Sequence, residues 1–195
     1  MKAIALTTLA AAAGLATANP FVATGLTDYT VDNAGVATSS MVIDISGYQS
    51  NDAYGSPLNQ VLSVFLGVGA EITGISYDVT LTTTGASWAS ESKLDFEGQI
   101  WLTPGFSDSF SVSNMNYNSG GIVDMTDNGL PNIVLSGDGI LDIEFFEGFT
   151  DNGGAGDGFW QAGSTVTVYG TGIVPTPGSL AVLGLGGLVA GRRRR

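Results

Sequence analysis

The apolar positions of this chain fall on every second residue much more often than on a helical repeat. Ile75-Ser76-Tyr77-Asp78-Val79-Thr80-Leu81-Thr82 is the clearest run. Extended, it puts its apolar side chains on one face and its polar ones on the other. The same period of two runs through residues 41–46 and 61–68 and through Leu94-Asp95-Phe96-Glu97. Gly98 then reads as a bulge, and Ile100-Trp101-Leu102 resumes the strand before the Pro104-Gly105 turn. Apolar stretches between turn formers predict further strands over residues 110–112, 122–125, 133–135, 140–146 and 165–169. Residues 19–38, rich in Ala, Gly and Thr, predict a first strand with loops. No repeat of fixed period is visible, which argues against a solenoid or propeller. The pattern predicts an all-β body over residues 19–173, a two-sheet, jelly-roll-like β-sandwich.

Both ends of the chain abandon the alternation. Lys2 precedes an unbroken Ala/Leu-rich run, and Ala16-Thr17-Ala18 supplies an A-x-A site for signal peptidase, so residues 1–18 read as a signal helix removed during export. Ala16 and Ala18 are the small residues that define the cleavage. The run has no polar face and is too short for a stable membrane anchor. At the other end, Val174-Pro175-Thr176-Pro177 leads into apolar or small residues over 178–191, and Arg192, Arg193, Arg194 and Arg195 close the chain. As a helix this run reaches roughly 21 Å against a hydrocarbon core of roughly 30 Å, a short and marginal transmembrane helix. The arginines act as stop-transfer charges and leave the body outside the inner membrane. Glycines along the run suit close approach by another helix, such as one from a membrane enzyme.

A Pro-x-Pro signature, a short apolar helix and a terminal arginine cluster, on a chain with a signal peptide, resemble the PEP-CTERM sorting tail. The resemblance covers residues 174–195 and departs from the usual pattern at Thr176, where the family carries Glu; the Pro-Thr-Pro form is similar to a variant of it. It implies an inner-membrane-tethered precursor, recognition of the tail by an exosortase-like membrane processing enzyme, and delivery to the cell surface or extracellular matrix. Ser87-Trp88-Ala89-Ser90-Glu91 and the segments 101–105 and 139–147 look like parts of some PEP-CTERM bodies, which carry no assigned activity. A Leu-Pro-x-Thr-Gly motif is absent, which argues against an ordinary sortase.

Charge sharpens the picture of the body. Of six basic residues only Lys93 lies between the two ends, and all 18 acidic residues lie there, so this stretch carries 1 − 18 = −17. Such a surface repels phosphate backbones, and nucleic acid is excluded as a partner. Cysteine and histidine are both absent, which removes disulfides, thiolates, imidazole ligands and every His-dependent catalytic triad. Ser90-Glu91-Ser92-Lys93 matches an S-x-x-K pattern but lacks the Ser-Asp-Asn and Lys-Thr-Gly partners of serine acyl-enzymes.

What remains is oxygen chemistry and aromatic surface. Asp151, Asn152 and Asp157, in a Gly-rich loop, gather carboxylate, amide and carbonyl oxygens suited to Ca²⁺, although the same residues also make ordinary turns. A second cluster, Asp124 to Gly129, has the same character. Glu91, Asp95, Glu97, Glu144 and Glu147 are the carboxylates available to a glycosidase; alternation puts Asp95 with Glu97, and Asp142 with Glu144, each on one face. Trp88, Trp101 and Trp160 suit a sugar-stacking platform if they are not core, and Trp101 breaks its strand's apolar phase so as to face outward. The expected function is non-catalytic: a structural or adhesive protein of the surface or exopolysaccharide matrix. A Ca²⁺- or carbohydrate-binding module is the alternative, and a carboxylate-based glycosidase a further one.

Overall fold

The computed structural model describes residues 19–20, 31–32, 39–151 and 153–174, and these form β-strands without a helix. In chain order the strands are β1 (Asn19–Pro20), β2 (Val31–Asp32), β3 (Ser39–Asp44), β4 (Gln49–Ser50), β5 (Gln60–Phe65), β6 (Ala70–Thr83) and β7 (Ser92–Phe96). There follow β8 (Ile100–Leu102), β9 (Met115–Asn118), β10 (Ile122–Asp124), β11 (Ile133–Leu135), β12 (Ile140–Glu147), β13 (Gly158–Trp160) and β14 (Thr165–Thr171). The signal segment with Ala16 and Ala18 lies outside the described residues. So do Asn152, Pro175, Thr176, Pro177 and Arg192, Arg193, Arg194 and Arg195.

Two sheets share one core. The smaller runs β1-β8-β7-β12-β5, antiparallel except where β1 lies parallel to β8. The larger is organised on β6, whose 14 residues are long enough to serve several partners along each edge. One edge pairs with β14 and then β13; the other pairs with β11, β10 and β9 in succession. β3 extends the sheet beyond β14, β4 beyond β13, and β2 beyond β10.

Alternation dictates what is buried. Ile72, Val79 and Leu81 of β6, Val166 and Val168 of β14, and Ile143 and Phe145 of β12 all enter a single hydrophobic cluster. The sheets meet at Phe145, whose ring stacks on Tyr48 at 4.5 Å and meets Trp160 edge-on at 6.0 Å. Removing a fully buried ring of this kind costs about 3–5 kcal/mol, from lost transfer energy and the cavity left behind.

Several sequence expectations are corrected. Residues 110–112 form no strand: Val112 is buried, but its N–H goes to Thr83 Oγ1 at 2.9 Å and its carbonyl accepts from Thr83 N at 2.9 Å. A side-chain hydroxyl thus takes the place of a ladder partner. The strand forms instead at β9, Met-Asn-Tyr-Asn, which is too short for its alternation to stand out and is largely exposed, only Tyr117 packing against the core. Gly98 is no bulge; it sits in the tight turn from β7 to β8, where Glu97 (φ 57°) and Gly98 (φ 64°) are both left-handed. The register shift lies in β14 between Tyr169 and Gly170, where a Cβ on Gly170 would collide with the Glu71 carbonyl.

Candidate functional site

Strand pairing brings four of the acidic residues together on the outer face of the smaller sheet. β7 and β12 pair so that Asp95 lies opposite Glu144 and Phe96 opposite Ile143. Beyond the end of that ladder Glu97 N donates to Asp142 O at 3.0 Å, and Asp142 N donates to Glu97 Oε1 at 2.6 Å. With Tyr54, Val61 and Gly98, these carboxylates line a cleft of about 260 Å³. Glu144 is fixed by the loop before β5, Oε1 accepting from Gly55 N at 2.8 Å and Asn59 Nδ2 at 2.6 Å.

Asp95 departs from the solvated position its alternation predicts: it is only 4% exposed although it points away from the core. An aromatic cluster covers this part of the sheet. Trp101 lies 5.2 Å from Tyr54 and 5.0 Å from Phe146, and Tyr54 lies 5.3 Å from Phe146. Lys93 completes the face, its ammonium 6.0 Å from the Trp101 ring centre. Asp95 Oδ2 accepts from Gly98 N at 2.6 Å, whereas Oδ1 and the nearby Trp101 Nε1 are buried without a hydrogen-bond partner in the protein.

The electrostatics follow from that geometry. Burial pushes the Asp95 carboxyl up to about 6; the Gly98 amide opposes this, Glu144 adds to it, the Trp101 indole opposes it from outside hydrogen-bonding geometry, and Glu97 adds again. Burial also raises Glu97, helped by Asp142 and Asp138 and opposed by the Asp142 amide. Tyr54 is raised by burial and then by Asp95 and Glu144. A cleft holding carboxyls raised by burial beside a cluster of tilted and edge-on rings has the character of a polar-ligand site.

The other candidates fall elsewhere. Trp160 is 1% exposed and belongs to the core, so the three tryptophans do not form one platform: Trp101 is on the sheet's outer face and Trp88 on the loop after β6. Its proximity to the Gly-rich loop gave Trp160 no visible strand pattern, and no sequence signal marked Tyr54 or Phe146 as its replacements. Glu91 caps its own loop, Oε2 accepting from Trp88 N at 2.8 Å. Glu147 points inward and is 1% exposed; burial drives it up to about 9, Ser92 opposing, Asp157 and Glu91 adding, Ser50 opposing. In the Gly-rich loop Asp151 is exposed while Asp157 is fully buried, and Asp151 N donates to Asp157 Oδ2 at 3.4 Å. Asp124 closes the second cluster on itself, Oδ1 accepting from Thr126 Oγ1 at 2.8 Å and Asp127 N at 3.0 Å. Among the described residues no three Asp or Glu side chains converge as a metal cage.

A wider hollow of about 450 Å³ lies on the larger sheet between β6, β9 and β14, lined by Ser76, Thr165, Thr167, Tyr169 and Asp78. It lacks both the aromatic cluster and the convergent carboxylates, and Asp78 is engaged by Asn116 Nδ2 at 2.7 Å. Fold and site together define an all-β, two-sheet protein with an acidic cleft, bordered by Tyr54, on one outer face. No protein-family model, curated protein or solved structure matches the chain.

Proposed function

We propose that this is an exported surface or matrix protein whose jelly-roll-like body adheres to polysaccharide through the cleft on its smaller sheet. The observation that carries the reading is the pairing of Asp95 Oδ1 with Trp101 Nε1, an acceptor and a donor left without protein partners beside the Tyr54, Trp101 and Phe146 rings. A sugar hydroxyl is both donor and acceptor and satisfies the two at once, while a pyranose ring lays its C–H face on an aromatic wall. Tyr54, 43% exposed on its loop, is the ring that turns aside to admit it. The charge of the body disfavours uronate and phosphate polymers, so the glycan is neutral or carries amino groups. Export rests on the signal segment, and delivery on the resemblance of residues 174–195 to a PEP-CTERM tail handled by an exosortase-like enzyme.

Sedimentation of the purified protein with its producer's exopolymer, cellulose, chitosan and alginate tests the adhesive reading. Retention on a neutral or amino-sugar polymer, lost in Trp101→Ala and Tyr54→Ala with folding intact, is the expected result. Binding that survives both substitutions, or that prefers alginate, overturns it. Peptide mapping of surface material tests delivery separately: peptides spanning residues 188–191 at full stoichiometry mean a permanent anchor rather than a sorted tail.

Hydrolysis is the second reading, favoured by the raised Asp95 directly across from the hydrogen-bonded Glu144. A carboxyl raised by burial, with a second carboxylate directly opposite, is a starting point for paired acid and base roles. Release of new reducing ends from a bound polymer, abolished in Asp95→Asn, distinguishes it from adhesion alone.

A further inference from the structure

We propose that Glu147 and Asp157 hold a divalent cation, of the size and hardness of Ca²⁺, at the seam between the two sheets. Glu147 ends β12 of the smaller sheet and Asp157 immediately precedes β13 of the larger. Backbone from residues 50–53 ties both in place: Asp157 N donates to Ser50 O at 2.9 Å and Glu147 N to Asp52 O at 2.8 Å. Glu147 is 1% exposed, and Asp157, Ser50 and Ser92 are fully buried.

Glu147 Oε1 accepts from Ser92 Oγ at 3.2 Å, but Oε2 is buried with no hydrogen-bond partner in the protein. A buried carboxylate oxygen left in this state is costly unless a proton or a cation reaches it. Lys93 is the one Lys or Arg among the described residues, and its ammonium lies over Trp101 on the opposite, outer face of the sheet.

Two carboxylates match the charge of a divalent ion, and the remaining neighbours are hydroxyl and carbonyl oxygens, the ligand set of a hard cation. Neutral oxygens from Ser50, Ser92 and the residue 50–53 backbone complete the shell in place of a third carboxylate. The lack of a side chain at Gly158 lets Ser92 and Glu147 close in against the β13 backbone: a Cβ there would collide with Ser92 Oγ and come within 3.1 Å of Glu147 Oε1. The centre of the site is therefore inside the seam, on the inward side of Asp157, and Asp151 stays at the surface.

The test uses the purified full chain, stripped with EDTA and returned to Ca²⁺, Mg²⁺ or Tb³⁺. One Ca²⁺ per chain by elemental analysis and a higher melting temperature in Ca²⁺ than in EDTA are expected, since a ligand bound only by the native state stabilises it. Glu147→Gln keeps the shape and removes the charge; it loses the bound ion and the shift, and Asp151→Asn keeps both. Trp160 donates to Ser50 Oγ at 3.4 Å and so stands beside the site. It therefore sensitises Tb³⁺ emission in the native chain, and Trp160→Phe quenches that emission without changing stoichiometry. This arm holds even where Glu147→Gln fails to fold. Absence of bound Ca²⁺, a shift surviving Glu147→Gln, or a shift lost in Asp151→Asn instead overturns the proposal.

Discussion

β12 carries two glutamates three residues apart that the fold treats in opposite ways. Glu144 faces outward, and a loop supplies its Oε1 with two N–H donors. Glu147 faces inward, with a single hydroxyl on Oε1 and nothing in the protein on Oε2. An odd spacing on a pleated strand puts two residues on opposite faces, and that step alone moves the same side chain from water into the core. The lesson extends to both sites: one carboxylate cluster is held apart by donors and left accessible, and the other is enclosed by a seam that must neutralise it.

If that contrast is right, the seam will be intolerant of added volume and the cleft more forgiving. Gly158→Val drives a branched side chain into Ser92 and Glu147, and a loss of about 3 kcal/mol is expected in denaturant unfolding, at the upper end of overpacking costs. A midpoint near that of the native chain would mean the seam is loosely packed.

Next in size is the response of the cleft to pH. Asp95 binds its proton with a pKa of about 6 in the folded chain and about 3.9 when unfolded. Below pH 4 both states are protonated and nothing is lost. As pH rises from 4 through 6 the unfolded state releases its proton first, so stability falls across that window and then levels. Glu144, Glu97 and Tyr54 face the same group, so the clean measurement is a difference: the melting temperature of Asp95→Asn minus that of the native chain should grow by several degrees between pH 4 and pH 7. A difference independent of pH would show that Asp95 is solvated as an ordinary surface carboxylate.

The smallest effect is expected at the cleft's own turn. Gly98 has a φ of 64°, and an added Cβ would sit 3.2 Å from the Tyr54 hydroxyl. Gly98→Ala should cost about 1 kcal/mol, or about 2–4 °C, from the left-handed backbone. Tyr54 can shift to absorb the contact, so polysaccharide retention should persist. A loss comparable to that of Gly158→Val would erase the difference between the two regions.

Alternation in Ile75-Ser76-Tyr77-Asp78-Val79-Thr80-Leu81-Thr82 was sufficient to determine that part of β6 and which of its side chains are buried, because a pleated strand with one apolar face has one stable orientation. The same rule put Asp95 with Glu97, and Asp142 with Glu144, each on one face and turned Trp101 outward. Composition settled the absence of thiol and imidazole chemistry, which no fold can restore. Pairing was beyond the reach of either: that Asp95 lies across from Glu144 depends on the register of two strands separated by some 45 residues of chain. Burial on the outer face was equally hidden, since Tyr54 arrives from a loop and Phe146 from a strand distant in sequence. β9 and β13 escaped because four and three residues, Met-Asn-Tyr-Asn and Gly-Phe-Trp, are too short to show a pattern and take extended form by pairing with β6. Asp157 reads as a loop residue in sequence, and only the docking of β13 between β6 and β4 carries it beside Glu147 and out of water, because burial is a property of the assembled sheets and not of the residue.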